Sequence, residues 1–438
     1  MGDTLKFVGG NKIGSGWRQL LVDDAGVGRL FIPSRGLDEL DANAYREIEG
    51  SAVADVVVPE EPEEPVEPVE PVEPDVPDPV EPDVPDPDVP PVPVPDPDPV
   101  PDPVPTPPTS PVNLVVNNEG ELQTALASVA GGQTIGLSSF FNGRIDCSRR
   151  FLSMVTITAV NPVNPPIVTS IRLDGTSNLR ITGVSVVHPF VAGEAAWYNA
   201  IEIFRCSNIW MENNEIREGR TADGYGATQG TLIRWCDNVH YKSNRIRGFV
   251  KQNLIMESRD CSYIDNDIAA MRSDGLSVVD CSANIIIESN HIHDMSGKAS
   301  DTFHRDGIEF WRVDETPSNN MTGFLVKDNL IDIGAGPWFQ SIFGRNTTAA
   351  QFLGNRIINY HLHGITPNAA VGVIIRDNVL IHRRSAHPAN DNANIQGAVS
   401  IPQINLGGTW NAGTVIGNVT PTPIPAKAGW IMSGNTTN

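Results

Sequence analysis

The sequence is short of cysteine, of long apolar runs and, over one stretch, of nearly everything except proline, valine and acid. Five cysteines in 438 residues, in no metal-ligand spacing, do not make a disulfide scaffold and read as small core residues. No apolar run approaches the roughly 18 residues of a membrane span, and MGDTLKFVGG lacks the basic-then-apolar plan of a secretory signal. These absences predict a protein made in the cytoplasm and not inserted in a membrane. Between Asp55 and Pro105 there is no lysine, arginine, glycine or aromatic residue, so residues 55–111 have nothing to pack and form a linker. Proline fixes φ and removes a donor, and the carboxylates repel one another. The stretch therefore reads as an extended polyproline II rod of about 3.1 Å per residue, on the order of 150 Å long.

That rod distorts the charge balance. The net charge of −22 includes 17 acidic residues of the rod, which carries no base. Residues 1–54 hold 8 acidic and 6 basic residues, which leaves 28 acidic against 25 basic beyond the rod. The folded part is nearly neutral. An acidic glycan is compatible with it as a partner, whereas nucleic acid is not expected without a basic stripe.

Residues 1–54 form a module of their own. "LKFVGGNKIGSGWRQLLVDDAGVGRLFIPS" alternates apolar runs with glycine turns, as two or three strands would, and "LDELDANAYREIEG" predicts one short helix closed by Gly50. About 50 residues bury too little surface to stand comfortably alone. This piece is expected to oligomerise or to dock on something larger, as an anchor.

Residues 112–438 repeat themselves loosely. Asn214, Asn244, Asn266, Asn290, Asn329, Asn355, Asn378, Asn418 and Asn435 each stand in a fragment such as "SNRI", "DNDI" or "GNRI", at shortest spacings of 22 to 24 residues. Short β-branched runs separated by Asn, Asp and Gly at this period, without helical amphipathicity, specify a parallel β-solenoid with one coil per period. Counterparts then stack about 4.8 Å apart, and asparagine suits the bend because it tolerates the left-handed conformation and its amide can pair along the axis. Cys206, Cys236 and Cys281 fall at equivalent places and are expected to stack inside. "NNEGELQTALASVAGGQTIGLSS" supplies an amphipathic capping helix from about Glu121 to Val129, then a Gly-Gly turn and the first strand.

On that helix, turn and repeat, the region resembles right-handed parallel β-helix proteins of the pectate-lyase-like superfamily. The resemblance implies an all-β, right-handed single-stranded parallel β-helix, and allows lyases, hydrolases, epimerases and binders alike. The order of anchor, rod and β-helix is similar to spike or fibre proteins of tailed bacteriophages and gene transfer agents. It implies a homo-oligomer on the surface of a virion, held to capsid or tail proteins through residues 1–54. The β-helix would then attach the particle to a bacterial surface polysaccharide such as a capsule. The alternative is a polysaccharide-degrading enzyme, a glycoside hydrolase or a lyase.

The candidate site follows from the coil alignment. The residue before the small bend residue is Asn199, Gln229, Gln252, Asp274, Asp306, Gln340, His363 and Gln396, a polar column along the solenoid. Two positions earlier stand Arg272, His304, Trp338 and His361. Longer insertions leave at one bend and carry, among others, Arg217, Arg220, Tyr225, Lys298, Arg383, Arg384 and His387. Aromatic platforms, amides and cations in a trough suit an extended glycan, with Arg272, Trp338, Gln340, His361, His363, Arg383 and Arg384 as its ligands. Asp274 and Asp306, on neighbouring coils, are the candidate acid–base pair of a glycosidase, and His304 a candidate base. No acidic cluster has calcium-loop spacing, so neither a metal nor a cofactor is predicted.

Overall fold

In the computed structural model the described residues are 6–13, 16–22, 28–33, 45–47, 111–189, 198–219, 226–297, 301, 304–312, 321–384, 400–406 and 412–438. They fall into two compact units, Met1–Pro108 and Thr109–Asn438. In the first, strands Lys6–Ile13, Gly16–Val22, Gly28–Pro33 and Tyr45–Glu47 form one antiparallel sheet in sequence order. Of the helix expected over 37–50 only 45–47 lies within the described residues, and that part is a strand instead. Tyr45–Glu47 pairs with Gly28–Pro33, opposing Ile32 with Arg46, so a sheet edge overrides local helix propensity. The rod, residues 55–111, lies outside the described residues up to Ser110.

The second unit is a parallel β-helix of three sheets. A typical coil runs through Asp306–Trp311 on the first sheet, Phe324–Lys327 on the second and Leu330–Asp332 on the third. The next coil repeats this with Gln340–Arg345, Gln351–Leu353 and Arg356–Asn359, each strand pairing in parallel with its predecessor. Alternation does the sorting. On the third sheet Val186, Ile216, Ile246, Ile268, Ile292, Ile331, Ile357 and Leu380 all point inward, one per coil, and none is exposed to solvent. Tyr241 stacks on Tyr263 in the next coil at 4.8 Å, the distance between paired strands.

The asparagine ladder holds this register. Each Oδ1 accepts both the backbone N–H and the side-chain Nδ2 of the asparagine one coil earlier, at 2.9–3.1 Å, from Asn214 through Asn244, Asn266, Asn290, Asn329, Asn355, Asn378 and Asn418 to Asn435. Each Nδ2 also donates to a main-chain carbonyl, as Asn290 does to Tyr263 at 2.9 Å. The left-handed residue is not the asparagine itself but the one before it: Asn213, Ser243, Asp265, Ser289, Gly354 and Gly417 all have φ between 53° and 66°. That residue makes the bend, and the following asparagine turns inward.

The cysteine column is real but interrupted. Cys206 N–H donates to Cys236 Sγ at 3.4 Å, and Cys236 N–H to Ser258 Oγ at 3.0 Å, so a serine stands between Cys236 and Cys281. All five cysteines are buried and free. The N-terminal end is closed by the helix Glu119–Ser128. Asn118 caps it through Oδ1, which accepts from Glu121 N–H at 3.0 Å, and Leu122, Ala125 and Leu126 cover the first coil.

The ladder yields a stability prediction. Asn290→Ala takes the acceptor from the buried Asn266 N–H and the side-chain donor from the Tyr263 carbonyl, and is expected to cost about 2–4 kcal/mol in urea unfolding. Asn435→Ala, at the end of the ladder, is expected to cost clearly less.

Candidate active site

The polar column exists, on the first sheet, with two members different from those read in the sequence. Register places Gln229 opposite Lys251, not Gln252, and His363 opposite Gln403, not Gln396. Gln252 occupies the position where neighbouring coils carry Gly230 and Gly275, and the missing glycine shifts a sequence alignment by one residue. The column therefore runs Asn199, Gln229, Lys251, Asp274, Asp306, Gln340, His363. Its centre is a knot of charge.

Asp274 and Asp306 stand on adjacent coils, both buried, and Asp306 N–H donates to Asp274 Oδ1 at 3.2 Å. Lys251 Nζ contacts Asp274 Oδ2 and donates to Ser277 Oγ at 3.1 Å. Ser273 and Ser277 each donate to the Asp274 carboxylate at 3.1 Å, so this group is fully engaged. Burial pulls the Lys251 ammonium down, and Asp274, Glu309 and Asp306 outweigh it and hold its pKa above the ordinary value.

Asp306 is less well provided for. Its Oδ2 meets His304 Nδ1 at 2.6 Å, while Oδ1 has no hydrogen-bond partner among the described residues. Burial, then the charge of Asp274, raises its carboxyl to about 6. The Asp306 contact in turn lifts His304 to about 9, although the imidazole itself is largely exposed. As an imidazolium His304 donates from both nitrogens, so Gln340, whose amide lies against Nε2, must present its oxygen there.

Glu309 escaped the sequence reading. It lies three residues after Asp306, on the outward face between Ser277 and Phe343 of the neighbouring coils, and is partly exposed. Burial, then Asp306 and Asp274, raises its carboxyl to about 7. A carboxylate oxygen of Asp306, one of Glu309 and a ring nitrogen of His304 lie within 4.8 Å of one another. A divalent cation held by this set would displace the proton that His304 shares with Asp306. The period-two rule from Ile308 and Phe310, both core residues, is the signal that places Glu309 outward.

The other expected ligands divide. Trp338 is not a platform for sugar: it is 3 % exposed, stacked at 4.8 Å on His361, which is buried too and pushed down to about 3 by burial and by its histidine neighbours. Both rings fill the interior of the bend. Arg272 is corrected likewise. Its guanidinium is spent on Asp301, at 2.6 and 3.1 Å, and on the Gly226 carbonyl at 2.9 Å. Gln340 and His363 stay on the column, with His363 Nδ1 2.8 Å from Thr366 Oγ1. Arg383 and Arg384 lie exposed just beyond strand Val379–His382. Arg220, Tyr225, Lys298, His387 and Gln396 lie outside the described residues. Surface hollows of about 630 Å³ around Met432 and about 550 Å³ around Trp210 are lined by no acidic residue.

With this geometry in hand, comparison with known proteins bears on the fold. A family model described as "Right handed beta helix region" matches residues 151–312. No curated protein matches the chain. Among solved structures, the chain is similar to the DFA-IIIase of Arthrobacter chlorophenolicus A6, at 14% identity and TM-score 0.39, over 68% of this chain and 73% of that one. A mannuronic acid specific polysaccharide family 6 lyase from human gut microbiota matches at 10% identity and TM-score 0.41, over 74% and 83%. The family 28 exopolygalacturonase of Yersinia enterocolitica matches at 11% and 0.37, over 73% and 74%. The fold is a right-handed parallel β-helix, and these solved neighbours are enzymes acting on saccharides. At such identities the likeness is one of fold, and the chemistry rests on the side chains above.

The dyad gives a pH prediction. Asp306→Asn removes the charge that raises His304, so the His304 pKa should fall from about 9 toward the ordinary value near 6.5, read by NMR titration of the ring protons. The sign for stability follows. A raised histidine stabilises the fold below its unfolded pKa and loses that contribution as pH rises through about 9. The variant should therefore lose the part of the alkaline stability decline that the parent shows between about 6.5 and 9.

Proposed function

We propose that the protein cleaves glycosidic bonds of a polysaccharide lying across the first sheet, by hydrolysis. The observation that carries this reading is the pair Asp306, fully buried, and Glu309, partly exposed beside it, two carboxyls with raised pKa values that each bring an oxygen within 4.8 Å of the other. A binding surface has no use for a buried carboxylate whose second oxygen finds no partner among the described residues, which costs stability. An acid–base catalyst does.

Glu309, partly exposed and titrating at about 7, serves as general acid toward the leaving oxygen. Asp306, ionised above about 6, is the second carboxylate, with the exposed ring of His304 against its Oδ2. A separation of carboxylate oxygens within 4.8 Å is closer to the roughly 5–5.5 Å of retaining glycosidases than to the wider inverting pair. Asp274 and Lys251 form the ion pair beneath and set the field, so Asp274 is a positioning residue. Elimination is the weaker reading because Lys251 and Arg272, two cations of the central coils, are engaged by Asp274 and Asp301.

The anchor and rod favour a carrier role. The separate unit Met1–Pro108 suits attachment to a phage-like particle, through capsid or tail proteins, with the β-helix acting on the surface polysaccharide of the bacterium. Cosedimentation of the protein with such particles tests that attachment.

Catalysis is tested with Glu309→Gln. Turnover on a cleaved polysaccharide should fall by roughly 10³-fold or more with affinity kept within a few-fold, because the lost proton is needed in the transition state. The parent should show a narrow bell in kcat/KM between about 6 and about 7, set by the coupled pair. Undiminished turnover in Glu309→Gln would remove the assignment.

A further inference from the structure

A second constellation stands on the third sheet, apart from the carboxylates above. Strand His291–His293 buries Ile292, which turns both histidines to the outward face, where their rings stack at 3.9 Å. Asp267, on the preceding coil, pairs in register with His291. His293 Nε2 lies 2.8 Å from Asp267 Oδ1, and its other nitrogen, Nδ1, lies 2.7 Å from Asp294 Oδ2. Asp294 is itself fixed, since Oδ1 accepts the Ala335 N–H at 2.9 Å. Ligating atoms of Asp267, His291 and His293 all fall within 4.8 Å of one another.

We propose that Asp267, His291 and His293 form a binding site for a borderline divalent cation, Zn²⁺, that clamps two neighbouring coils together. Two imidazoles and one carboxylate are the donor set that zinc takes, with water completing four-coordination, whereas calcium and magnesium prefer oxygen donors. The His-x-His spacing supplies two ligands from one rigid strand. Asp294 supplies the outer carboxylate that fixes the orientation of a metal-binding histidine, a partner usual for zinc-bound imidazole. Arg247 Nη2, 2.5 Å from Asp267, holds Oδ2 and leaves Oδ1 toward the ring. Donors around one tetrahedral zinc lie about 3.3 Å apart, so a small turn of the His291 ring completes the set. Zinc replaces the proton between His293 and Asp267, and that proton passes to solvent.

The test uses the full chain without a histidine tag, stripped with EDTA and titrated with ZnCl₂ by calorimetry, with thermal unfolding followed in parallel. One Zn²⁺ per chain and a Tm higher by several degrees are expected, with no change on adding CaCl₂. His291→Ala and Asp267→Ala should weaken binding at least tenfold, and Asp294→Asn by about 10–100-fold, while Glu309→Gln leaves it unchanged. The absence of saturable binding overturns the site, and so does binding that survives His291→Ala or is lost in Glu309→Gln, which would move the ion to His304, Asp306 and Glu309. Should a variant fail to fold, Co²⁺ added to the parent decides. Visible bands of a four-coordinate site support the proposal, and a spectrum of hydrated Co²⁺ contradicts it.

Discussion

Stacking at one strand spacing is the constraint from which the rest follows. Once the asparagine ladder fixes each coil over the one before, every outward residue has its counterpart about 4.8 Å away, whatever the two side chains are. Alike residues that help one another, such as Asn290 on Asn329 or Tyr241 on Tyr263, make the column a source of stability. Asp274 on Asp306 makes it a source of tension. The chain relieves that tension unevenly: Asp274 receives Lys251 and two serines, and Asp306, among the described residues, receives the exposed ring of His304. The carboxyl left short of partners, and Glu309 above it, hold their protons unusually far toward neutrality.

The same rule explains what could be read in advance. The ladder asparagines all pair, because a repeated residue with both a donor and an acceptor has few other reasons to recur at every coil. Asp274 and Asp306 were legible for the same reason. Lys251 was not, since Gln252 fills the place of a glycine and displaces the alignment by one residue. Glu309 required a second step, from coil alignment to the inward or outward sense of a strand.

Burial was the least legible property. Trp338 and His361 have the composition of a sugar platform, yet they stack on each other inside the bend, which no pattern of single residues reveals. Arg272 carries the charge expected of a ligand, but its bidentate pairing with Asp301 depends on a contact between separate segments of the chain. In the N-terminal unit, a sheet edge claimed Tyr45–Glu47 from the predicted helix, a tertiary effect on a short segment. Sequence periodicity reports where a residue stands along the coil. It does not report what the neighbouring bend brings against it.

Hydrolysis at the first sheet is the central claim, and its products test it most directly. The full chain would be incubated at about pH 6.5 with capsular and other surface polysaccharides, and new chain ends followed by reducing-sugar assay and by absorbance of unsaturated uronate. The account predicts new reducing ends without the unsaturated chromophore. Release of unsaturated fragments would contradict hydrolysis, and polymers left intact across the panel while still bound to the protein would contradict catalysis itself.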